Sequence, residues 1–142
     1  MAALAAGLVL LTAVAHAQDR EVPRELTAPW SDAAPRIEAA VVWSAAVGAP
    51  DERIGRFEAR RASARRAARA RAMGFLHAWA DDALAEVHAS AAEATAVHAA
   101  IDRAARERAV RPLADAGAVI AMEVPLDDLR AACRRTGVPW AG

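Results

Sequence analysis

Apolar and polar side chains alternate along residues 37–47, which is the spacing of a β-strand. One face of this segment is wholly apolar, whereas the other is mixed and carries Glu38 and Ser44. The alternation indicates a strand because successive side chains of a pleated chain point to opposite faces. A Gly-Ala-Pro-Asp sequence at 48–51 interrupts the pattern, so we expect the strand to end there.

From about Asp51 onwards the apolar positions recur every three or four residues, as they do on one side of a helix. No proline lies between Arg56 and Val87, and alanine, the strongest helix former, is abundant there. We therefore expect one principal helix through this segment. Its apolar stripe consists of Ala68, Ala72, Phe75, Leu76, Trp79, Ala83, Leu84 and Val87.

Residues 88–111 also favour a helix, but the chain is expected to turn before them. A single helix over 56–111 would be about 84 Å long, which is too long for a small domain. Ser90 and Glu93 stand three residues apart, the spacing of a capping box, and this indicates that a new helix begins after Ser90.

The C-terminal part of the chain predicts a second strand and a short helix. Residues 118–124 are almost wholly apolar and follow a loop bracketed by a proline and a glycine, so we expect a buried strand. Leu126 to Arg135 should form a short helix, since aspartates occupy its first turn and arginines its last turn. Gly137 stands where a glycine C-cap is favoured.

This order of elements predicts a single α+β domain over residues 37–142, with a small sheet packed on a long Ala/Arg-rich helix and a short C-terminal helix. Because two strands alone are marginal, we expect a third near 106–116, or a sheet completed by another chain. An all-α helical bundle is the alternative, since 43 of the 142 residues are alanine and alanine-rich strands are weak.

The N-terminal residues have the pattern of a cleaved secretory signal. An apolar run over 4–14 is followed by Ala15-His16-Ala17 and then by polar residues, so we expect a signal peptide at 1–17. The alternative is an alanine-rich helix that stays in the mature protein. The run is too short to span a bilayer, and no cysteine follows it, so the mature chain is expected to be periplasmic or secreted without a stable membrane span.

Residues 18–36 contain Pro23, Pro29 and Pro35, which prevent a continuous helix and predict an extended lead-in to the domain. Trp30 is a candidate to dock on the domain from this segment.

Charge and motif content exclude several function classes. The 18 basic residues, all arginine, balance 18 acidic ones, which argues against a nucleic-acid partner because such proteins carry a basic excess. A single cysteine excludes an intrachain disulfide framework. The chain has no nucleophile elbow, phosphate-binding loop or dinucleotide fingerprint, so we expect neither an enzyme nor a cofactor.

The strongest candidate site is a run of arginines early in the principal helix. Guanidinium groups bind phosphate and carboxylate, so the run is a candidate patch for an envelope protein or another anionic surface component. The alternative is a solvated face that pairs with the acidic segment at 77–102, within one chain or between two copies of a homo-oligomer. The patch consists of Arg60, Arg61, Arg65, Arg66 and Arg69.

The histidines and the cysteine are weaker candidates. His77, His88 and His98 are too far apart to bind one metal ion on a straight helix, so a site would require the chain to fold back. His77, Asp81, Asp82, Glu86 and His88 would form the site if the chain were an all-helical periplasmic stress or metal-binding protein. Cys133 is expected to be buried, with an intermolecular disulfide as the alternative.

Three stretches of the chain carry a family resemblance. The first strand closes on Val47-Gly48-Ala49-Pro50, an Ala/Arg-dense helix follows over 59–70, and the chain returns from Gly117-Ala118-Val119 to Glu123-Val124-Pro125-Leu126. This arrangement, over about residues 37–130, resembles the small bacterial envelope family named after a twenty-kilodalton outer-membrane lipoprotein, which is similar to the N-terminal domain of flagellar assembly protein T.

The resemblance implies a non-enzymatic α+β domain of the cell envelope and transfers no catalytic residue. The lipid-attachment cysteine of that family has no counterpart in this sequence, so membrane anchoring is not implied. Together with the signal pattern, this leads us to expect an exported, non-catalytic domain that acts by binding other envelope components.

Overall fold

The computed structural model describes residues 31–140. These residues form a four-stranded antiparallel sheet and three helices, which confirms the predicted α+β class and shows that the all-helical alternative is wrong. The predicted signal peptide, Trp30 and most of the predicted lead-in lie outside the described residues. The elements in chain order are β1 (Ala33–Glu38), β2 (Val41–Gly48), α1 (Phe57–Glu86), α2 (Ala91–Ala104), β3 (Arg106–Pro112), β4 (Ala118–Pro125) and α3 (Leu126–Thr136).

The segment predicted as one strand over 37–47 forms two strands, so that prediction is wrong. β1 and β2 are joined by Ala39 and Ala40, whose φ angles are 47° and 62°. Positive φ at both central residues is typical of a two-residue hairpin turn, which usually contains glycine or asparagine. Residues 33–36, at the end of the predicted lead-in, belong to β1, where Pro35 is tolerated because the strand lies at the sheet edge.

The sheet has the strand order β1-β2-β4-β3, so the two most apolar strands lie at its centre. β3 is the third strand expected near 106–116, and β1 supplies a fourth from the same chain. The expectation of a helix over 88–111 is therefore wrong beyond Ala104, where α2 ends. β3 forms one edge and carries three arginines and one glutamate, which discourages pairing with a further strand.

α1 covers one face of the sheet through a line of buried residues spaced four apart, four of which are alanines. Small side chains let the helix backbone approach the strands closely, and Ser44 on β2 donates a hydrogen bond of 2.8 Å from Oγ to the carbonyl oxygen of Ala72. A Cβ on Gly48 would lie only 2.0 Å from the carbonyl oxygen of Ala64. The buried line consists of Ala64, Ala68, Ala72, Leu76, Ala80 and Leu84.

The two central strands are buried on both faces, which explains why they are apolar almost throughout. Val42, Ile120 and Met122 face the helices and form the main core with α1, α2 and α3. Trp43 and Val119 lie on the opposite face in a second, smaller cluster with neighbouring alanines. The mixed face of β2, rather than its wholly apolar face, therefore contacts the long helix.

α2 begins with the predicted capping box. The Ser90 hydroxyl accepts the backbone N–H of Glu93 at 3.3 Å, and the Glu93 carboxylate accepts the backbone N–H of Ser90 at 2.6 Å. The hydrogen bond from Ser90 also lowers the pKa of Glu93 below its ordinary value of 4.5. The carboxylate therefore supports the cap above about that pH, and its contribution disappears as the pH falls through the lowered pKa.

We expect Ser90→Ala to reduce the free energy of unfolding by about 1 kcal/mol, because it removes an acceptor from the first turn of α2. Urea unfolding followed by far-ultraviolet circular dichroism measures the change. Thr95→Ala is the matched control, since the Thr95 hydroxyl only donates back to the Ala91 carbonyl within the helix. A loss no larger than that of the control would contradict the assignment of the cap.

α3 confirms the remaining predictions for the C-terminal part of the chain. Gly137 follows the helix with a φ of 78°, the left-handed conformation of a glycine C-cap. Asp127 and Asp128 lie in the first turn, and Arg134 and Arg135 in the last, as the helix dipole favours. Leu129 and Cys133 point into the main core, so the predicted burial of the cysteine is confirmed.

Candidate functional site

The predicted arginine patch divides into paired and unpaired members. Glu107 on β3 lies opposite Met122 on the helix-facing side of the sheet, and it forms ion pairs with Arg65 and Arg69 at 3.4 and 3.3 Å. Arg66 is exposed and has no carboxylate partner in residues 31–140. Glu107 therefore neutralises only part of the patch, at its side nearest β3.

Arg60 and Arg61 lie half-buried near the start of α1. Arg60 stands one turn before Ala64 and continues the line of residues that faces the sheet. The Nε atoms of both arginines are buried without a hydrogen-bond partner among the described residues. The guanidinium of Arg61 lies over the exposed ring of Phe57, 4.9 Å from its centre. These two cations thus retain hydrogen-bond donors that the described fold does not use.

The acidic segment does not pair with this patch in the part of the chain that the structure describes. Asp81 and Asp102 contact histidines, and Asp82 and Glu86 line a pocket at the other end of α1. The predicted intramolecular pairing between the arginine run and this segment is therefore wrong. The sequence could not predict which charged residues pair, because the signs of the charges do not specify which helix faces meet.

The histidines are brought together where α1 packs against α2. The rings of His77 and His98 stack at 4.6 Å between their centres. His77 Nε2 lies 2.9 Å from an Asp102 oxygen, and His98 Nε2 lies 2.7 Å from an Asp81 oxygen. The latter contact lacks hydrogen-bond alignment. The two crossed contacts tie the helices together.

The candidate metal ligands are dispersed by this arrangement. His88 is exposed just after α1, at a positive φ of 54°, and does not join the stacked pair. Across residues 31–140, no group of three or more histidine, cysteine, aspartate or glutamate side chains converges to hold a metal ion. Within the same range, no helix combines the length and apolar composition needed to cross a membrane.

Sequence analysis did not identify an ionic cluster on the sheet face opposite α1, in which Glu123 is buried and Glu38 and Arg106 are exposed. The Trp43 indole N–H donates to Glu38 at 3.0 Å, and the Arg108 guanidinium lies 5.2 Å from the centre of the Trp43 ring. Arg108 also contacts Glu38 at 3.1 Å, while buried Glu123 forms an ion pair of 2.7 Å with Arg106. The pairing register of β3 with β4 shifts between residues 107 and 109, next to Arg108. No sequence pattern predicts this shift.

A pocket of about 350 Å³, which we call the α1–α3 pocket, opens between the C-terminal half of α1, α3 and the C-terminal tail. Trp79 and Trp140 line it, and Asp82 and Glu86 from α1 also contribute to its wall. The Trp140 Nε1 is buried and lacks an acceptor among the described residues. The remaining lining side chains are apolar or are the Cys133 thiol, and they comprise Ile37, Ala80, Ala83, Leu84, Val87, Val97, Leu129, Cys133, Val138 and Pro139.

Cys133 is the thiol of this pocket and is poorly suited to nucleophilic chemistry. Burial raises its pKa above the ordinary value of 9.0, which reduces the thiolate fraction at neutral pH. No histidine lines the pocket beside it.

The described residues thus offer two separate surfaces, the arginine patch near the start of α1 and the α1–α3 pocket near its end. Comparison of the chain with protein-family models, with curated proteins and with solved structures found no match.

Proposed function

We propose that this chain is an exported, non-catalytic domain of the cell envelope that binds an anionic component through the arginine patch. The signal pattern at 1–17 and the resemblance of residues 37–130 to the lipoprotein-named envelope family support the location. The observation that carries the binding role is the set of three patch cations without a carboxylate partner in the described fold, Arg60, Arg61 and Arg66.

The chemistry of the patch favours phosphate-bearing lipid headgroups at a membrane surface. Guanidinium groups form paired hydrogen bonds with phosphate oxygens, and the exposed guanidinium of Arg66 has no carboxylate partner within residues 31–140. Phe57 is exposed beside Arg61 and supplies an apolar side chain at the same surface. An aromatic ring next to unpaired cations is typical of surfaces that contact lipid headgroups.

Vesicle co-sedimentation of the full chain tests this proposal. We expect binding to vesicles of phosphatidylglycerol and phosphatidylcholine in equal parts, and much weaker binding to vesicles of phosphatidylcholine alone. The binding should weaken as salt is added, because the attraction between exposed charges is screened. Inorganic phosphate added in competition separates recognition of the isolated anion from recognition of the membrane surface.

The variant Arg60→Gln/Arg61→Gln/Arg66→Gln should bind the anionic vesicles roughly 100-fold less tightly, because each arginine near such a surface contributes about 1 kcal/mol. Arg103→Gln/Arg134→Gln/Arg135→Gln is the matched control, since it removes the same charge from exposed positions on α2 and α3. The Glu107→Gln variant should bind a few-fold more tightly, because it frees Arg65 and Arg69.

Equal losses in the two triple variants would show that binding depends on net charge alone and would contradict the patch. Absence of binding to anionic vesicles at low salt would contradict the membrane-surface partner. Circular dichroism of each variant establishes that the fold is retained before binding is compared.

A further inference from the structure

We propose that the α1–α3 pocket binds a small organic cation with an apolar body, such as an alkyl or aryl ammonium compound. The pocket encloses about 350 Å³, within the range of about 300 to 1,000 Å³ typical of small-molecule sites. Leu84, Val97 and Leu129 form part of its apolar wall and would contact the hydrocarbon part of such a ligand.

Two carboxylates give this pocket its charge preference. Asp82 and Glu86 stand four residues apart on α1, which places them on the same side of the helix, and both line the pocket. Both are exposed, and neither has a cationic partner within residues 31–140. An ammonium group in the pocket would supply that partner, whereas a phosphate or sulfate group would be repelled.

The two tryptophans provide a second attraction for a cation. Trp79 and Trp140 both line the pocket, and the face of an indole ring attracts an ammonium group through its quadrupole. Arg130 lies 5.8 Å from the centre of the Trp140 ring, so that ring already has a cation near it. The same arginine forms an ion pair of 3.1 Å with Asp127, which offsets its charge.

This site is independent of the arginine patch. The patch lies within residues 60–69 of α1 and the carboxylates at 82–86, so more than three helical turns separate them. The two surfaces carry opposite charge and favour opposite ligands. Failure of vesicle binding would leave this inference standing, and failure of ammonium binding would leave the proposed function standing.

Isothermal titration calorimetry of the full chain with decyltrimethylammonium, below its micelle-forming concentration, tests the inference. We expect one ligand to bind per chain. Decyl sulfate has the same chain length and the opposite charge, and should bind at least tenfold more weakly. Tetramethylammonium lacks the apolar body and should give no measurable heat at the same concentration.

The variant Asp82→Asn/Glu86→Gln should bind decyltrimethylammonium roughly tenfold more weakly, because the ligand loses its two opposite charges. Glu52→Gln/Glu58→Gln is the matched control, since it removes two exposed carboxylates near the other end of α1 and should leave the affinity unchanged. Because both pocket substitutions lie at exposed positions, the fold should be retained, and circular dichroism checks this.

Cys133 supplies a second measurement that does not depend on heat. It lines the pocket and is the single cysteine of the chain, so its alkylation by iodoacetamide reports on access to the site. Decyltrimethylammonium should slow this reaction severalfold in the native chain, and the Asp82→Asn/Glu86→Gln variant should need more ligand for the same protection.

Equal affinity for decyl sulfate would overturn the inference, because it would show a general site for apolar chains. Absence of binding, or unchanged affinity in the variant without the two carboxylates, would overturn it as well. Loss of ligand binding at high protein concentration, together with a dimer in sedimentation velocity, would assign the pocket to a second copy of the chain and would also overturn it.

Discussion

Gly48→Ala is expected to destabilise the domain by about 3 kcal/mol or more, because the added methyl group has no space. The new Cβ would lie 2.0 Å from the carbonyl oxygen of Ala64 and 2.5 Å from the backbone nitrogen of Ala68. Both contacts are with helix backbone, which cannot rotate away as a side chain can. α1 would have to move off the end of β2 and lose part of its contact with the sheet.

Urea unfolding measured by circular dichroism gives the size of this effect. Gly74→Ala is the matched control, since a Cβ at that exposed position on α1 meets no atom within 4 Å. Alanine is favoured over glycine inside a helix, so the control should gain about 0.5 to 1 kcal/mol. A loss below about 1 kcal/mol for Gly48→Ala would contradict the close approach of α1 to β2.

Trp43→Ala is expected to cost about 3 to 5 kcal/mol of folding free energy, as large aromatic truncations in cores do. Trp43 is 1% exposed and is the largest side chain in the smaller cluster on the sheet face opposite α1. Its removal would leave a cavity beside Ala45 and Ala121, which are too short to fill it. The substitution would also remove the cation–π contact between Arg108 and the Trp43 ring.

Trp43→Phe separates the volume of this ring from its hydrogen bond. Phenylalanine keeps most of the apolar contact but loses the N–H that donates to Glu38, so we expect a loss of about 1 to 1.5 kcal/mol. Both variants can be compared by urea unfolding followed at the far-ultraviolet signal of the helices. Equal losses for alanine and phenylalanine would contradict packing as the main contribution of Trp43.

The helices could be predicted from the sequence because their signals are local. Alanine propensity and apolar residues spaced three or four apart predict α1, and the spacing of Ser90 and Glu93 predicts the start of α2. Gly137 marks the end of α3 for the same reason. Each of these signals depends on residues within one or two helical turns of the boundary.

The β1–β2 hairpin could not be predicted because its turn lacks the usual residues. Ala39 and Ala40 take positive φ angles without glycine or asparagine, and they continue the period-two alternation across the turn. Pro35 predicts an interruption of regular secondary structure. It is tolerated in β1 because an edge strand can lack a backbone N–H without losing a hydrogen bond inside the sheet. Tertiary pairing with β2 decides the structure of this segment.

The sequence predicts the cluster of arginines in the patch, but it does not predict which of them form ion pairs. Glu107 reaches Arg65 and Arg69 only because its pairing opposite Met122 places its side chain on the sheet face that α1 covers. The stacked His77 and His98 depend in the same way on how α1 and α2 meet. The α1–α3 pocket is formed by residues from four parts of the chain, so no local pattern indicates it.

The sheet order has a consequence for how the molecule is made. β2 has its hairpin partner next to it in sequence, but its other neighbour, β4, begins only at Ala118. One edge of this apolar strand therefore stays unpaired until the chain has folded back over α1, α2 and β3. Closing such a large loop is slow, so the domain should assemble in one late cooperative step. Fragments that end before β4 should aggregate rather than fold.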